Sequence, residues 1–256
     1  FFPLYPLLVQ GLAWVTGSTI VAGVLISLAA GCVAIVLLPQ IAPGRLSPEV
    51  RRDAVLLATL YPLAFVFTAI YSDGLFLALA LGAFVAAERR RPLLAGVLAA
   101  LAVDTRLVGL ALIVPLVVLL WPRNRSPREL LGVAVVAALP TLGFGLYTGF
   151  LHQRFGDWLF VPAEGHETWD RHVPTLGPVS GLWQAASAAW HGSLELFLHL
   201  PRAGAAPEGF PAHDTWAMWN VVQFLVLVAA RWLTWLAWKR LGAAYGLYST
   251  GLILII

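Results

Sequence analysis

Apolar residues run along this chain in long blocks cut by short polar stretches, and they do not alternate at the period of a half-buried strand. Residues 1–17 are apolar and aromatic, with Pro3 and Pro6 early, where prolines suit the first turn of a helix. Residues 18–38 make a full span, and 39–53 a polar loop with Arg45, Arg51 and Arg52. Residues 54–72 read as the next span and 74–87 as its return, with Asp73 at the turn between them. After Arg89, Arg90 and Arg91, residues 92–121 are apolar except for Asp104-Thr105-Arg106, which splits them into two short helices meeting at a surface turn. A basic turn over 122–129 leads into a span over 130–151. Residues 152–216 form a long mixed loop in which 180–200 has the pattern of an amphipathic surface helix. A last span over 217–238 closes on Lys239 and Arg240.

The predicted fold is all-α, a polytopic bundle of transmembrane helices with one long extracytoplasmic loop. It divides into a helical region over 1–151, the loop over 152–216, and further helices over 217–256. Composition agrees: 60% of the residues are hydrophobic and 11% charged, against about 25% charged in soluble domains. A helix needs about 20 apolar residues to cross the ~30 Å hydrocarbon core. The net charge of +3 is therefore read loop by loop, and not as a nucleic-acid signal. The loops after residues 38, 87, 121 and 238 hold eleven of the sixteen basic residues. Counting spans places all four on one side, which the charge rule makes the cytoplasm. The opposite face then receives the amino-terminal segment, Tyr71-Ser72-Asp73, Asp104-Thr105-Arg106 and the 152–216 loop. Asp73 is expected at the lip of the bilayer, where a carboxylate reaches water cheaply. The single cysteine, Cys32, excludes an intrachain disulfide. The chain opens on Phe1 and stops inside an apolar run, so it reads as an internal piece of a longer protein.

Three constellations carry candidate chemistry. Asp73 is either a carboxylate facing a substrate hydroxyl or cation, or a cap for a helix starting at Gly74, with Ser72 as the competing cap. Arg106 offers the planar fork that binds phosphate, or else it forms a local ion pair or pairs with Asp73 and only holds helices together. Asp104 is too close in sequence to face Arg106 on a helix. All six histidines (His152, His166, His172, His191, His199 and His213) lie within 152–216, at spacings that match no zinc pattern. No nucleotide loop or Ser-His-Asp arrangement appears.

Three ordered stretches resemble a known family: Phe1-Phe2-Pro3-Leu4-Tyr5-Pro6-Leu7-Leu8; Tyr61-Pro62 with Phe67 and Tyr71-Ser72-Asp73-Gly74-Leu75-Phe76; and Thr105-Arg106-Leu107-Val108-Gly109. Together they are similar to a bacterial version of the mannosyltransferases related to the enzyme that adds the second mannose of glycosylphosphatidylinositol anchors. These belong to the polytopic GT-C glycosyltransferases. The resemblance covers residues 1 to 110 or so, and beyond it only the pattern of spans matches. The chain departs from the family in carrying Asp73 where Glu is more frequent, and Leu107-Val108 where the family has Ser-Asn.

The resemblance implies transfer of a sugar, of mannose type, from a polyprenyl-phosphate donor to a glycolipid or protein acceptor, at the extracytoplasmic face of the cell membrane. It implies catalytic roles for Asp73 and Arg106, with Arg106 on the donor phosphate. Phe2, Tyr5, Tyr71, Ser72 and Thr105 become candidate substrate-binding residues, Phe2 and Tyr5 packing at the cavity mouth. The family's principal catalytic Asp would lie ahead of residue 1. No cofactor is expected, and dependence on a divalent metal stays open. Charged residues and short broken helices in a membrane also suit a transporter or flippase, and a non-catalytic membrane scaffold is a third class.

Overall fold

A computed structural model describes residues 2–61, 64–122, 126–156, 178–199 and 213–255. These residues are helical, with no strand among them. They fall into two compact units, one within 1–163 and 237–255, the other within 164–236.

The first unit opens with a helical hairpin, α1 (Leu4–Thr16) and α2 (Thr19–Leu37). Gly17 turns the chain in the left-handed region at φ 70°, and the Ser18 side chain caps α2 by accepting from the Val21 N–H. One face of α2 carries Ala22, Gly23, Ser27, Ala30, Gly31 and Ala34, all buried. Small residues let a neighbouring helix come close. That neighbour is α4 (Asp73–Glu88), which packs along α2 through Ala78 and Leu81.

The stretch predicted as a span over 54–72 is not one helix. α3 (Pro48–Leu60) begins inside the expected polar loop, with Ser47 as its cap, and ends before Tyr61. Tyr61 precedes a proline and takes extended backbone, ψ 136°, as the proline ring demands. A 3-10 turn over Ala64–Phe67 and an irregular stretch follow before α4. With 13 residues, α3 reaches about 20 Å at 1.5 Å per residue, short of a bilayer core.

The break at Asp104-Thr105-Arg106 is as predicted. α5 (Pro92–Val103) stops there, a 3-10 segment (Leu107–Leu112) follows, and α6 (Ile113–Leu120) continues. The short helix α4 is an interior element, with Ala80 to Ala87 all buried, while α5 buries one face through Ala95, Ala99 and Ala102 and leaves Leu93, Leu94 and Val97 exposed. Their backbone polar groups are satisfied within the helices, and α4, lying against protein, has no need of full membrane length. α7 (Pro127–Phe155) packs on α5 and extends past the predicted end at 151. α10 (Ala243–Ile255) closes the unit against α6, and Phe84 stacks on Tyr245 with ring centroids 4.9 Å apart.

The described residues of the second unit form a pair, α8 (Pro178–Leu198) and α9 (His213–Leu236). They pack closely enough that Gly192 lies against the backbone of Ala217. The predicted surface helix over 180–200 thus exists as a helix, while most of the 152–216 loop, including His166 and His172, lies outside the described residues.

Among the described residues three helical stretches are long and apolar enough to cross a membrane: Thr19–Gln40, Pro127–Phe155 and Thr215–Leu241. Their length and composition are those of membrane-spanning helices, which makes this a membrane protein.

Candidate functional site

Two chain breaks build the site. The stretch before α4 delivers Tyr71, Ser72 and Asp73, and the turn after α5 delivers Asp104, Thr105 and Arg106. An Arg106 guanidinium nitrogen donates to the Asp73 carboxylate, joining the two breaks. Both side chains keep about two-fifths of their surface exposed, 41% for Arg106 and 40% for Asp73. The exposed parts of both side chains leave room for another group, so the arrangement is informative chiefly for what else can reach them. Arg106 itself has extended backbone, φ −154° and ψ 141°, so it lies outside the helix that precedes it.

Asp73 is the first residue of α4, and Ser72 occupies the cap position without making a side-chain capping bond. Neither expected cap operates: the Asp73 carboxylate goes to Arg106 instead. α2 and α4 run parallel, with Gly74 against the Ser27 carbonyl and Gly82 against Leu37. Ser27 lies eight residues into α2, about 12 Å along it at 1.5 Å per residue. Asp73 therefore stands level with the middle of α2, where the sequence suggested the end of a span. The cause is the broken 61–72 stretch, which lets α4 start partway along its neighbour.

A second set of contacts fixes the same level. The Tyr5 hydroxyl lies 2.7 Å from Ser27 Oγ and donates to the Gly23 carbonyl at 3.2 Å. Ser27 in turn donates to the Tyr71 carbonyl at 3.2 Å. The Leu4 N–H donates to the Asp104 carbonyl at 3.0 Å, so the start of α1 is pinned to the Arg106 turn. One network thus ties α1, α2, the 71–73 stretch and the 104–106 turn together.

The remaining expected site residues divide by exposure. Tyr71 is exposed, with its ring edge-on to Phe65 at 6.5 Å. Phe2 is half-buried, its ring 5.3 Å from that of Tyr147 on the wall of a cleft. Tyr5 and Thr105 face inward. Tyr5 is buried with its hydroxyl in the Ser27 network, and Thr105 is 4% exposed with its hydroxyl donating to the Leu101 carbonyl at 2.8 Å. Tyr5 was expected at a cavity mouth; its contacts instead make it a brace between α1 and α2.

Sequence reasoning did not place Asp104 in this cleft. Its carboxylate lines a space of about 580 Å³ with Phe2, Pro3, Gly143 and Tyr147. Burial pushes its carboxyl above the usual carboxylate range. A second missed cluster lies at the other end of α4. There the Glu88 carboxylate accepts from the Ala42 N–H at 2.9 Å and the Tyr245 hydroxyl at 2.5 Å. Tyr147 and Tyr245 sit in apolar runs, and no local signal marks them. Among the described residues no group of three His, Cys, Asp or Glu side chains gathers to hold a metal ion.

No protein family, no curated protein and no solved structure matches this chain.

Proposed function

We propose that this protein is an integral-membrane glycosyltransferase. It moves a sugar, of mannose type, from a polyprenyl-phosphate donor to a glycolipid or protein acceptor at the extracytoplasmic face of the cell membrane. The observation that carries the reading is the half-exposed Arg106–Asp73 pair at the meeting of two helix breaks. An arginine held there by one carboxylate has donor capacity left over, since a guanidinium carries five N–H groups in a planar fork. A phosphate is the ligand that fork fits best.

In the reaction, the bond between the sugar's anomeric carbon and the phosphate oxygen breaks, and the phosphate leaves with the electron pair. The acceptor oxygen forms the new bond and gives its proton to a general base. Arg106 stabilises the charge growing on the leaving phosphate, the contribution for which fixed donors are most effective. Asp73 holds the guanidinium in place before the donor arrives and orients it afterwards. Tyr71, which is exposed, and Phe2, which is half-buried, are aromatic residues available to flank the substrates. The three ordered stretches that resemble the mannosyltransferases support the choice of donor and sugar.

The test is a paired assay on sealed vesicles carrying the protein. Label should pass from polyprenyl-phosphate mannose to an acceptor in the membrane, with no net flux of labelled substrate across it. Flux without transfer would replace the reading with that of a transporter or flippase.

A further inference from the structure

Asp104 is the charged group at this site that the donor reading leaves unused. Its backbone is fully engaged, the N–H donating to Ala100 at 2.9 Å and the carbonyl accepting from Leu4 at 3.0 Å. Its carboxylate is half-buried, yet no hydrogen bond or ion pair reaches it among the described residues. Arg106, two positions on, points to Asp73 instead. The turn is thus held rigidly while its acid is left to something else.

The space in front of that acid has a definite character. The cleft of about 580 Å³ is bounded by the start of α1 and one face of α7. Phe2 and Tyr147 give it an aromatic wall, their rings inclined at 42°. Gly143 lines it beside the acid: a Cβ there would sit 3.5 Å from an Asp104 carboxylate oxygen, at ordinary contact distance, and would narrow the approach to the acid. A carboxylate is a pure acceptor that takes hydrogen bonds from hydroxyls. Aromatic rings cover the apolar C–H faces of a ligand, and pockets with a few fixed polar groups among apolar walls are the usual small-molecule sites.

We propose that this cleft binds the hydroxyl-bearing headgroup of the acceptor. Asp104 accepts hydrogen bonds from the acceptor's hydroxyls, and the Phe2–Tyr147 wall covers an apolar face of the same group. The inference rests on the transferase reading, and it divides the labour at the 104–106 turn: Arg106 serves the donor phosphate and Asp104 the acceptor. Burial raises the carboxyl's affinity for protons, which strengthens it as an acceptor of hydrogen bonds.

Direct binding tests the cleft without requiring turnover. The protein is placed in phosphatidylcholine nanodiscs, and octyl α-mannoside and farnesyl phosphate are titrated separately, with octylammonium as a control cation. Asp104→Asn should weaken octyl mannoside by about tenfold or more and leave farnesyl phosphate within about twofold. Gly143→Ala keeps the acid, suits a helix, and puts its methyl group at ordinary contact distance; it should weaken the mannoside by about three- to tenfold. It decides the matter if Asp104→Asn fails to fold. Arg106→Ala should show the reverse pattern. Mannoside affinity unchanged in both cleft variants would overturn the inference, and so would wild-type preference for octylammonium. Wild type that binds the mannoside at Asp104 but not farnesyl phosphate would leave the cleft standing and overturn the donor reading.

Discussion

The Arg106 guanidinium and the Asp73 carboxylate, 33 residues apart in sequence, are paired across two helix breaks. The pair joins the start of α4 to the turn that follows α5. Two roles are compatible with this geometry: a brace between helices, and a phosphate site held ready by its own counter-ion.

A charge swap separates these roles. The double variant Asp73→Arg with Arg106→Asp restores an ion pair while moving the guanidinium to the other chain break. If the pair were a brace alone, thermal stability and transfer would recover together. The account expects the melting temperature to return towards wild type while transfer stays down by about 100-fold or more. Arg106→Lys keeps the charge and loses the fork, and should cost about tenfold in transfer.

Tyr5 is the brace between α1 and α2. Tyr5→Phe keeps the ring and removes the hydroxyl that meets Ser27 and Gly23. Ser27 then retains only the Tyr71 carbonyl as partner. The loss should be about 1–2 kcal/mol of stability, read as a lower unfolding temperature in nanodiscs.

Gly109 underlies the turn that presents Arg106. A Cβ at this position would lie 2.6 Å from the Val103 backbone nitrogen, and backbone cannot step aside as a side chain can. Gly109→Ala should therefore destabilise by about 2 kcal/mol or more. It should also weaken farnesyl phosphate binding, because the Arg106 turn must shift to make room.

The fold's outline is readable in the sequence because apolar blocks and their polar interruptions state where helices start and stop. Asp104-Thr105-Arg106 interrupts a run that is otherwise continuous, and the helix does end there. The pairing of Arg106 with Asp73 is one of three readings that residue types alone allow, beside a local ion pair and a phosphate site. The 54–72 stretch shows the opposite case. Its composition suits a span, but the conformation forced on Tyr61 ahead of a proline ends α3 at Leu60. The depth of the pair along α2 depends on that break and on Gly74 meeting Ser27, which is a tertiary contact without a local signature. Tyr147 and Gly143, which shape the Asp104 cleft, are ordinary members of an apolar helix until the fold brings them to the turn.

At the other end of α4, Glu88 gives a pH dependence. Burial pushes its carboxyl above the usual 4.5, against the opposing effects of the Tyr245 hydroxyl, the Ala42 N–H and the charges of Arg51 and Arg45. As pH rises past 4.5 the unfolded chain gives up this proton before the folded one does. The Glu88 contribution to stability is therefore full below that value, declines as pH rises through the higher folded value, and then levels. Glu88→Gln keeps an oxygen for Tyr245 and Ala42 and should flatten that part of the profile. Glu88→Ala strands both donors and should cost about 1–3 kcal/mol. Unfolding temperatures of the three proteins across pH check both statements.

The central claim is that sugar leaves a polyprenyl phosphate held at Arg106. The most direct measurement follows polyprenyl-phosphate-[14C]mannose in membranes carrying the product of the intact gene, comparing wild type with Asp73→Asn and Arg106→Ala, each checked for insertion. The account predicts label in a lipid or protein acceptor with wild type, a loss of about 100-fold or more with Arg106→Ala, and a smaller loss with Asp73→Asn. Equal transfer by all three would contradict the assignment of the site, and no transfer by correctly inserted wild type would contradict the proposed activity itself.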